Sequence, residues 1–272
     1  MSGANIKSSA PMRIVSLAPN ATSILVALGA RKSLVGVSRS CADVADVGRL
    51  PRLGDCWAID LEPLARLKPD CIIGSVPFRI EVVEKILQLP ATFIALNPRT
   101  LRDIYRDIEL LGLVTGRGDA AVKLVRSVKH AFAGIRKRAV RLRALSVSGR
   151  RKAPRVYCEA WPKPRISSPP WVAELVGIAG GRMVTPAGTT VSDADVARAK
   201  PDVIVLAWTA TGDRAKPESA LKNPAWADVP AVRNGRIVVI RDEWLNTPGP
   251  PLIKGVKALF QAIHGNQISN RR

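Results

Sequence analysis

Short apolar runs alternate with segments of helical periodicity along nearly the whole of this 272-residue chain. Arg13–Leu17 (RIVSL) is an apolar run that Pro19 and Asn20 interrupt. Ile24, Leu25 and Leu28 then recur at helical spacing, and Gly29 closes that helix. Ser33–Val37 predicts a second strand. Asp60 stands where it can N-cap a helix that reaches Leu67, and Lys68-Pro69-Asp70 turns the chain into a buried strand, Cys71–Gly74. A helix over Ile80–Leu87, a strand over Thr92–Leu96 and a helix over Leu101–Leu113 follow. From Asp119 to Leu145, Leu124, Val128, Phe132, Ile135 and Leu142 recur at spacings of three, four and seven. They predict one helix of roughly 25 residues, about 38 Å long, with a single apolar stripe. Beyond the breaker Ser146–Lys152, the pattern predicts a strand over Arg155–Cys158 and helices near Trp171–Ile178 and Asp193–Ala199. Strands over Val203–Ala207 and Arg236–Ile240 come next, then a last helix from Pro251 to Ile263. Repeated β–α alternation of this kind predicts mostly parallel sheets with helices on their faces.

One stretch occurs twice. Residues 64–73 read LARLKPDCII and residues 196–205 read VARAKPDVIV. Each copy is the end of a short helix, a Lys-Pro-Asp turn and a buried strand. Two copies on either side of the long helical segment predict two similar α/β lobes. The expected division is an N-terminal disordered segment (1–12), a first lobe (13–114), a linking helix (115–150) and a second lobe (151–272).

The expected strand ends direct attention to particular side chains, because ligands of open α/β sheets collect outside the carboxyl ends of the strands. Ser75, Val76, Pro77 and Phe78 follow one strand. Glu159 and Trp161 follow another, Trp208 a third, and Asp242, Glu243 and Trp244 a fourth. Trp57 lies in the loop before the Asp60-capped helix. Trp57, Trp161, Trp208 and Trp244, four of the chain's six tryptophans, thus fall at strand ends, which suits a cleft for a large, flat, mostly apolar ligand. Trp171 and Trp226 sit in helical contexts and are expected in the core. Glu159, Asp242 and Glu243 are expected to hydrogen-bond a polar edge of the ligand.

Composition narrows the classes. No run approaches the 18 apolar residues of a membrane span. No apolar segment precedes Arg13, so residues 1–12 show no secretory signal, and either it has been removed or the chain stays in the cytoplasm. Cys41, Cys56, Cys71 and Cys158 form no CxxC pair. Cys71 and Cys158 fall in apolar runs, and a Cys41–Cys56 disulfide is left open. Phosphate-binding glycine motifs, the GxSxG elbow and the HExxH pair are all missing. The only histidines are His130 in the long helix and His264 near the C-terminus, so neither a triad nor a metal site is expected at the strand ends. The net charge is +20, and Ala120–Cys158 contains twelve Lys and Arg but no Asp or Glu. That balance attracts anionic partners, acidic headgroups or an anionic ligand tail among them. The run carries no interleaved aromatics beyond Phe132 and no nucleic-acid-binding spacing, so nucleic acid is not an expected partner.

The segments RIVSLAPNATSILVALGA (13–30), GDCWAIDLEPLARLKPD (54–70), EAWPKPRISSPPWVAELVGIAGG (159–181) and NPAWADVPAVRNGRIVVI (223–240) resemble the vitamin B12-binding proteins of ABC importers. These belong to the helical-backbone, or class III, substrate-binding proteins that also take ferric siderophores and haem. The resemblance runs from about residue 13 to 264. It implies two Rossmann-like lobes joined by one long helix, a corrinoid such as cobalamin or cobinamide held between them, no catalysis, a monomer and a periplasmic location. Trp57, Trp161 and Trp244, with Trp208 and Phe78, match its aromatic ligand positions, and Glu243 falls near an acidic one. It also implies one carboxylate per lobe that docks on the ABC permease. Glu62 matches the first; at the second stands Ala194, flanked by Asp193 and Asp195. Ser23 replaces a common Glu, and Asn246 and Thr247 stand where an Arg often faces the ligand. A siderophore would instead call on Arg79, Arg165 and Arg214. Haem would call on an axial His or Tyr, and the only tyrosines are Tyr105 and Tyr157. A cytoplasmic corrinoid-handling protein or enzyme on the same frame is the contrasting reading.

Overall fold

The computed structural model describes residues 11–55, 57–145 and 152–269, without the side chains of 266–269. Its contacts divide the chain into a first unit, Met1–Asn97 with Asp107–Val122, and a second, Pro98–Arg106 with Lys123–Arg272.

The first unit is built on β1 (Ile14–Ser16), β2 (Leu34–Ser38), β3 (Arg52–Leu53), β4 (Cys71–Ser75) and β5 (Thr92–Leu96), in the order β3-β2-β1-β4-β5 with every pair parallel. Ile14, Val15, Ile72 and Ile73 have no exposed surface, as strands covered on both faces require. The helices α1 (Pro19–Ala27), α2 (Leu61–Arg66) and α3 (Ile80–Ile86) follow β1, β3 and β4. Asp60 caps α2 as its sequence predicts, its carboxylate accepting from the Glu62 amide at 3.1 Å.

The second unit carries β6 (Arg155–Pro162), β7 (Arg165–Ser167), β8 (Arg182–Met183), β9 (Val203–Leu206) and β10 (Ile237–Val239). Its order is β10-β9-β6-β7; β8 pairs with the start of β6, and only β7 runs antiparallel. Its main helices are α6 (Pro170–Ile178), α7 (Asp193–Ala199), α10 (Asp242–Leu245) and α11 (Leu252–Ser269), with two single turns, α8 (Glu218–Leu221) and α9 (Pro230–Arg233), between. The helices α4 (Leu101–Val114) and α5 (Gly118–Ala144) contribute residues to both units. Of the predicted stripe of α5, Val128, Phe132 and Ile135 are buried, each 4% exposed or less, whereas Leu124 and Leu142 are only half-buried and Val125 and Ala139 complete the buried face in their place.

The repeated Lys-Pro-Asp segments do the same work in both units. Lys68 and Lys200 take left-handed backbone angles, φ 43° and 45°, and end α2 and α7. Asp70 and Asp202 then accept the amides of Arg13 and Arg155, at 2.7 and 2.8 Å, and return their own amides to the same residues' carbonyls. Each aspartate therefore locks the entry of one central strand, Arg13 just before β1 and Arg155 at the start of β6, to the start of its neighbour, β4 or β9. The registers correspond, Ile14 opposite Cys71 and Val156 opposite Val203.

Two expectations need correction. The strand predicted over Arg155–Cys158 continues to Pro162, because Glu159 and Trp161 pair with Ser167 and Ile166 of β7. The four residues between Pro164 and Pro169 do not read as a strand, so neither β7 nor the pairing that draws Glu159 into β6 is legible in the sequence. Asp242–Leu245 is likewise a helical turn and not a loop, anchored where the Asp242 carboxylate takes two amides of the segment after β9. Cys71 and Cys158 are buried strand thiols as expected, and burial pushes them up to about 11 and about 12. Cys41 is a buried free thiol beside Thr22 and Ser38. Cys56 and residues 1–10 lie outside the described residues.

Candidate functional site

In the first unit the chain lays β1, β2 and β3 outward in one direction and β4 and β5 in the other. The switch point therefore falls between β1 and β4, where the helices that follow wind to opposite faces and leave a crevice at the carboxyl edge. Asn20, at the start of α1, and Ser75, at the end of β4, meet there, the amide donating to the hydroxyl at 3.3 Å. Phe78 follows β4 and packs edge-on against Phe93, ring centroids 5.8 Å apart, over the unit's core. Trp57 follows β3 at the same edge. Its turn is held by Asp55, which accepts the Trp57 and Ala58 amides at 2.9 and 3.2 Å. Gly54 makes that turn feasible, since a Cβ there would lie 1.9 Å from the Ala58 carbonyl oxygen. The turn leaves the Trp57 side chain 53% exposed. The sequence places Ser75 at a strand end but gives Asn20 no role in a site; only the strand order brings the two together.

The second unit has its switch point between β6 and β9, and a buried polar cluster occupies it. Glu159 has no exposed surface. One oxygen accepts from the Tyr157 hydroxyl at 2.9 Å and the Arg165 guanidinium at 2.7 Å, and the other from the Trp208 indole N–H at 2.8 Å. Arg165 also pairs with Asp193 and lies over the Trp226 ring, 4.3 Å from its centroid. Trp226 is fully buried, edge-on to Tyr157, and donates to the Asp193 carbonyl. Burial, and the Glu159 carboxylate next to it, push the Tyr157 phenol far up. For Arg165, burial is outweighed by Glu159 and Asp193, which raise it further.

Glu159 is thus not an open ligand contact, as the strand-end reading had it. A carboxylate taken out of water must be paired, and both of its oxygens are. The cluster holds the Trp208 ring by its N–H. Trp161 projects from the β6–β7 hairpin, 41% exposed, its indole N–H donating to the Lys163 carbonyl at 2.9 Å. Trp244 is half-buried on α10, with Lys254 above its ring. Its backbone is fixed against α11 at Gly255, where a Cβ would come within 2.1 Å of the Trp244 carbonyl oxygen. Glu243 forms a two-pronged pair with Arg241, at 3.2 and 3.3 Å. Asp242 is buried and accepts the Ala210 and Gly212 amides at 2.9 and 2.6 Å, which fixes the segment carrying Trp208; burial pushes its carboxyl up. Asn246 donates to the Ala207 carbonyl at 2.7 Å, while its buried Oδ1 has no partner among the described residues. Trp171 is half-buried and donates to the Leu245 carbonyl. A cavity of about 570 Å³ lies along the outer edge of β10, lined by Arg236, Arg241, Trp244 and Gln261 among others.

The remaining sequence candidates divide by exposure. Glu62 is exposed on α2 and pairs with Arg66 one turn on. Asp193 keeps part of its side chain in solvent. Asp195 closes the capping box of α7 with Ser192, whose hydroxyl and amide hold it below the usual carboxylate range. Arg79 and Arg214 are exposed, whereas Arg165 is committed to the Glu159 cluster. Tyr157 and His264 are buried, and Tyr105 and His130 lie on α4 and α5, away from the strand ends. Among the described residues no group of three or more His, Cys, Asp or Glu could hold a metal ion, and no helix is long and apolar enough to cross a membrane.

Residues 14–244 match the model of the periplasmic binding protein family, and the chain belongs to that family. It is therefore a non-enzymatic transport component, the substrate-binding protein that takes up a small molecule for an ABC permease. An ABC transporter substrate-binding lipoprotein of Bacillus subtilis, YvrC, is 25% identical over 264 residues, covering 93% of this chain and 80% of the relative. The vitamin B12-binding protein of Vibrio cholerae is 28% identical over 260 residues, covering 90% and 86%. The fold is also that of a periplasmic haem-binding protein from Pseudomonas aeruginosa, with a TM-score of 0.82 at 22% identity and 94% of each chain covered.

Proposed function

We propose that the ligand is a corrinoid, cobalamin or cobinamide, held by the aromatic side chains at the carboxyl edges of the two sheets. The observation that carries this reading is the exposure of Trp57 and Trp161 at strand ends, 53% and 41%. Large indoles are costly to leave in water, and here the Trp57 backbone is held by Asp55 and the Trp161 N–H by the Lys163 carbonyl while much of each side chain stays in solvent. Trp208 and Trp244, anchored through Glu159 and Gly255, and Phe78 complete the set; Glu243 and the Asn246 oxygen supply polar contacts. Axial haem ligation is disfavoured, because no His or Tyr stands at a strand end. The relative named for vitamin B12 covers most of the chain and supports the same choice. Glu62 on α2 and Asp193 on α7 occupy the first turns of the two repeated helices. We assign them to permease docking, with Asp195 serving to shape the α7 end. The expected organisation is two lobes, 13–114 and 151–272, with the helix within 115–150 between them, acting as a monomer.

Absorbance titration with cyanocobalamin and cobinamide tests the reading. A dissociation constant below about 10 μM, roughly 7 kcal/mol, is expected for at least one of them. Trp57→Ala and Trp161→Ala should each weaken it about tenfold, as loss of an aromatic anchor does. Failure of both corrinoids to bind at that level, with haemin or a ferric siderophore binding instead, overturns the assignment.

A further inference from the structure

The charge of the molecule is concentrated in one place. Residues of the first unit carry 12 Lys and Arg against 11 Asp and Glu, a balance of +1, and those of the second 30 against 11, a balance of +19. The most concentrated part is α5, which holds eight Lys and Arg and a single acid, Asp119. Lys129 lies over the Tyr105 ring and Arg138 over the Phe260 ring. Lys123, Arg126, Lys137 and Arg141 are exposed and have no ion pair among the described residues.

Their spacing puts these four on one line. Successive steps of three, eleven and four residues return to the same face of a 3.6-residue helix, and exposed His130 falls on it too. The row lies opposite the buried stripe of Val128, Phe132, Ile135 and Ala139. From Lys123 to Arg141 it runs about 27 Å at 1.5 Å per residue. Ala133, Gly134 and Ala144 lie around it, so little stands between the basic tips. Val140, 61% exposed, borders it.

We propose that this outer face of α5 binds an anionic phospholipid surface. A small ligand cannot engage a row of this length, whereas a sheet of headgroup phosphates can. The row is a convex ridge and not a groove. Phe132 is buried and the exposed His130 stands alone on the row, so α5 offers no series of rings on which successive bases could stack, and an exposed valine beside basic side chains suits a headgroup layer better than a nucleic acid. The interaction is independent of which small molecule the protein carries.

Sedimentation of the full chain with vesicles tests it. The chain should pellet with phosphatidylcholine vesicles containing about one third phosphatidylglycerol at low salt, stay in solution with pure phosphatidylcholine, and be released by about 0.5 M NaCl. The variant K123E/R126E/K137E/R141E should lose at least about 100-fold in partition, since each basic residue near such a surface is worth about fivefold. The neutral set K123Q/R126Q/K137Q/R141Q, the gentler substitution should the first misfold, should lose at least about tenfold. A control with the same net charge, R182E/K216E/K222E/R233E, reverses four exposed residues of the same unit and should lose far less. Equal loss in stripe and control variants overturns the proposal, because net charge alone would then explain binding. So does absence of pelleting with anionic vesicles at low salt. Release from vesicles by a short DNA duplex at equal phosphate concentration also overturns it, in favour of nucleic acid.

Discussion

Glu159 sets the energetics of the second unit's strand edge. Its carboxylate has no exposed surface and takes three donors, of which Arg165 is charged and 16% exposed and Trp208 carries a candidate ligand-facing ring. Removing one partner of a buried pair leaves the other uncompensated and costs about 3–5 kcal/mol, whereas replacing both with apolar groups costs far less. Glu159→Ala is therefore expected to lower the urea unfolding free energy by about 3–5 kcal/mol, and Glu159→Leu with Arg165→Met by clearly less. Trp208 fluorescence should change in both, since its N–H loses its acceptor. Equal destabilisation by the single and double variants would show that the ring packing of Trp226 and Tyr157, and not the charge, organises this edge.

At the scale of the element, the Lys-Pro-Asp turn is the unit that repeats. Asp202 takes the Arg155 amide and pairs with its guanidinium at 2.9 Å, so Asp202→Ala removes both a strand-opening hydrogen bond and an ion pair. A loss of about 1–3 kcal/mol is expected by thermal or urea melting. Burial raises the Asp202 carboxyl, but the Arg155 bonds outweigh it and hold it below its ordinary value. A depressed carboxyl contributes stability above its unfolded value near 3.8 and loses it as pH falls through the lower folded value. Asp202→Asn should therefore be less sensitive than the native chain to pH between about 4 and 2. This turn was legible because its parts are local: a helix end, a proline and an acid before β-branched residues. The long amphipathic helix was legible for the same reason. What the residues did not disclose depends on neighbours distant in sequence. β7 is a strand only because β6 lies beside it, Glu159 is a buried partner only because β7 brings Arg165 over it, and Asn20 meets Ser75 only through the strand order.

For the whole molecule, the dominant electrostatic term is self-repulsion. A net charge of +20, with +19 of it among residues of one unit, leaves few attractive pairs to lose when salt is added. The ion pairs that do exist are short-range, and the central one, Glu159 with Arg165, is buried and weakly screened. Raising the ionic strength from about 0.01 to 0.15 M shortens the Debye length from about 30 to 8 Å, which screens the repulsion between basic residues along α5 and across the second unit. Sodium chloride should therefore raise the melting temperature, by about 3–6 °C if the relief is of order 1–2 kcal/mol. A protein held by surface salt bridges would move the other way. Where calorimetry resolves two transitions, the shift should fall on the second unit and leave the first, with its balance of +1, nearly unchanged. The Lys123, Arg126, Lys137 and Arg141 glutamine variant should melt higher at low salt and show a flatter salt response. A melting temperature that falls with salt would mean that the exposed pairs, Glu62 with Arg66 and Asp195 with Arg198, outweigh the repulsion, and that the basic row of α5 is well solvated and costs the fold little.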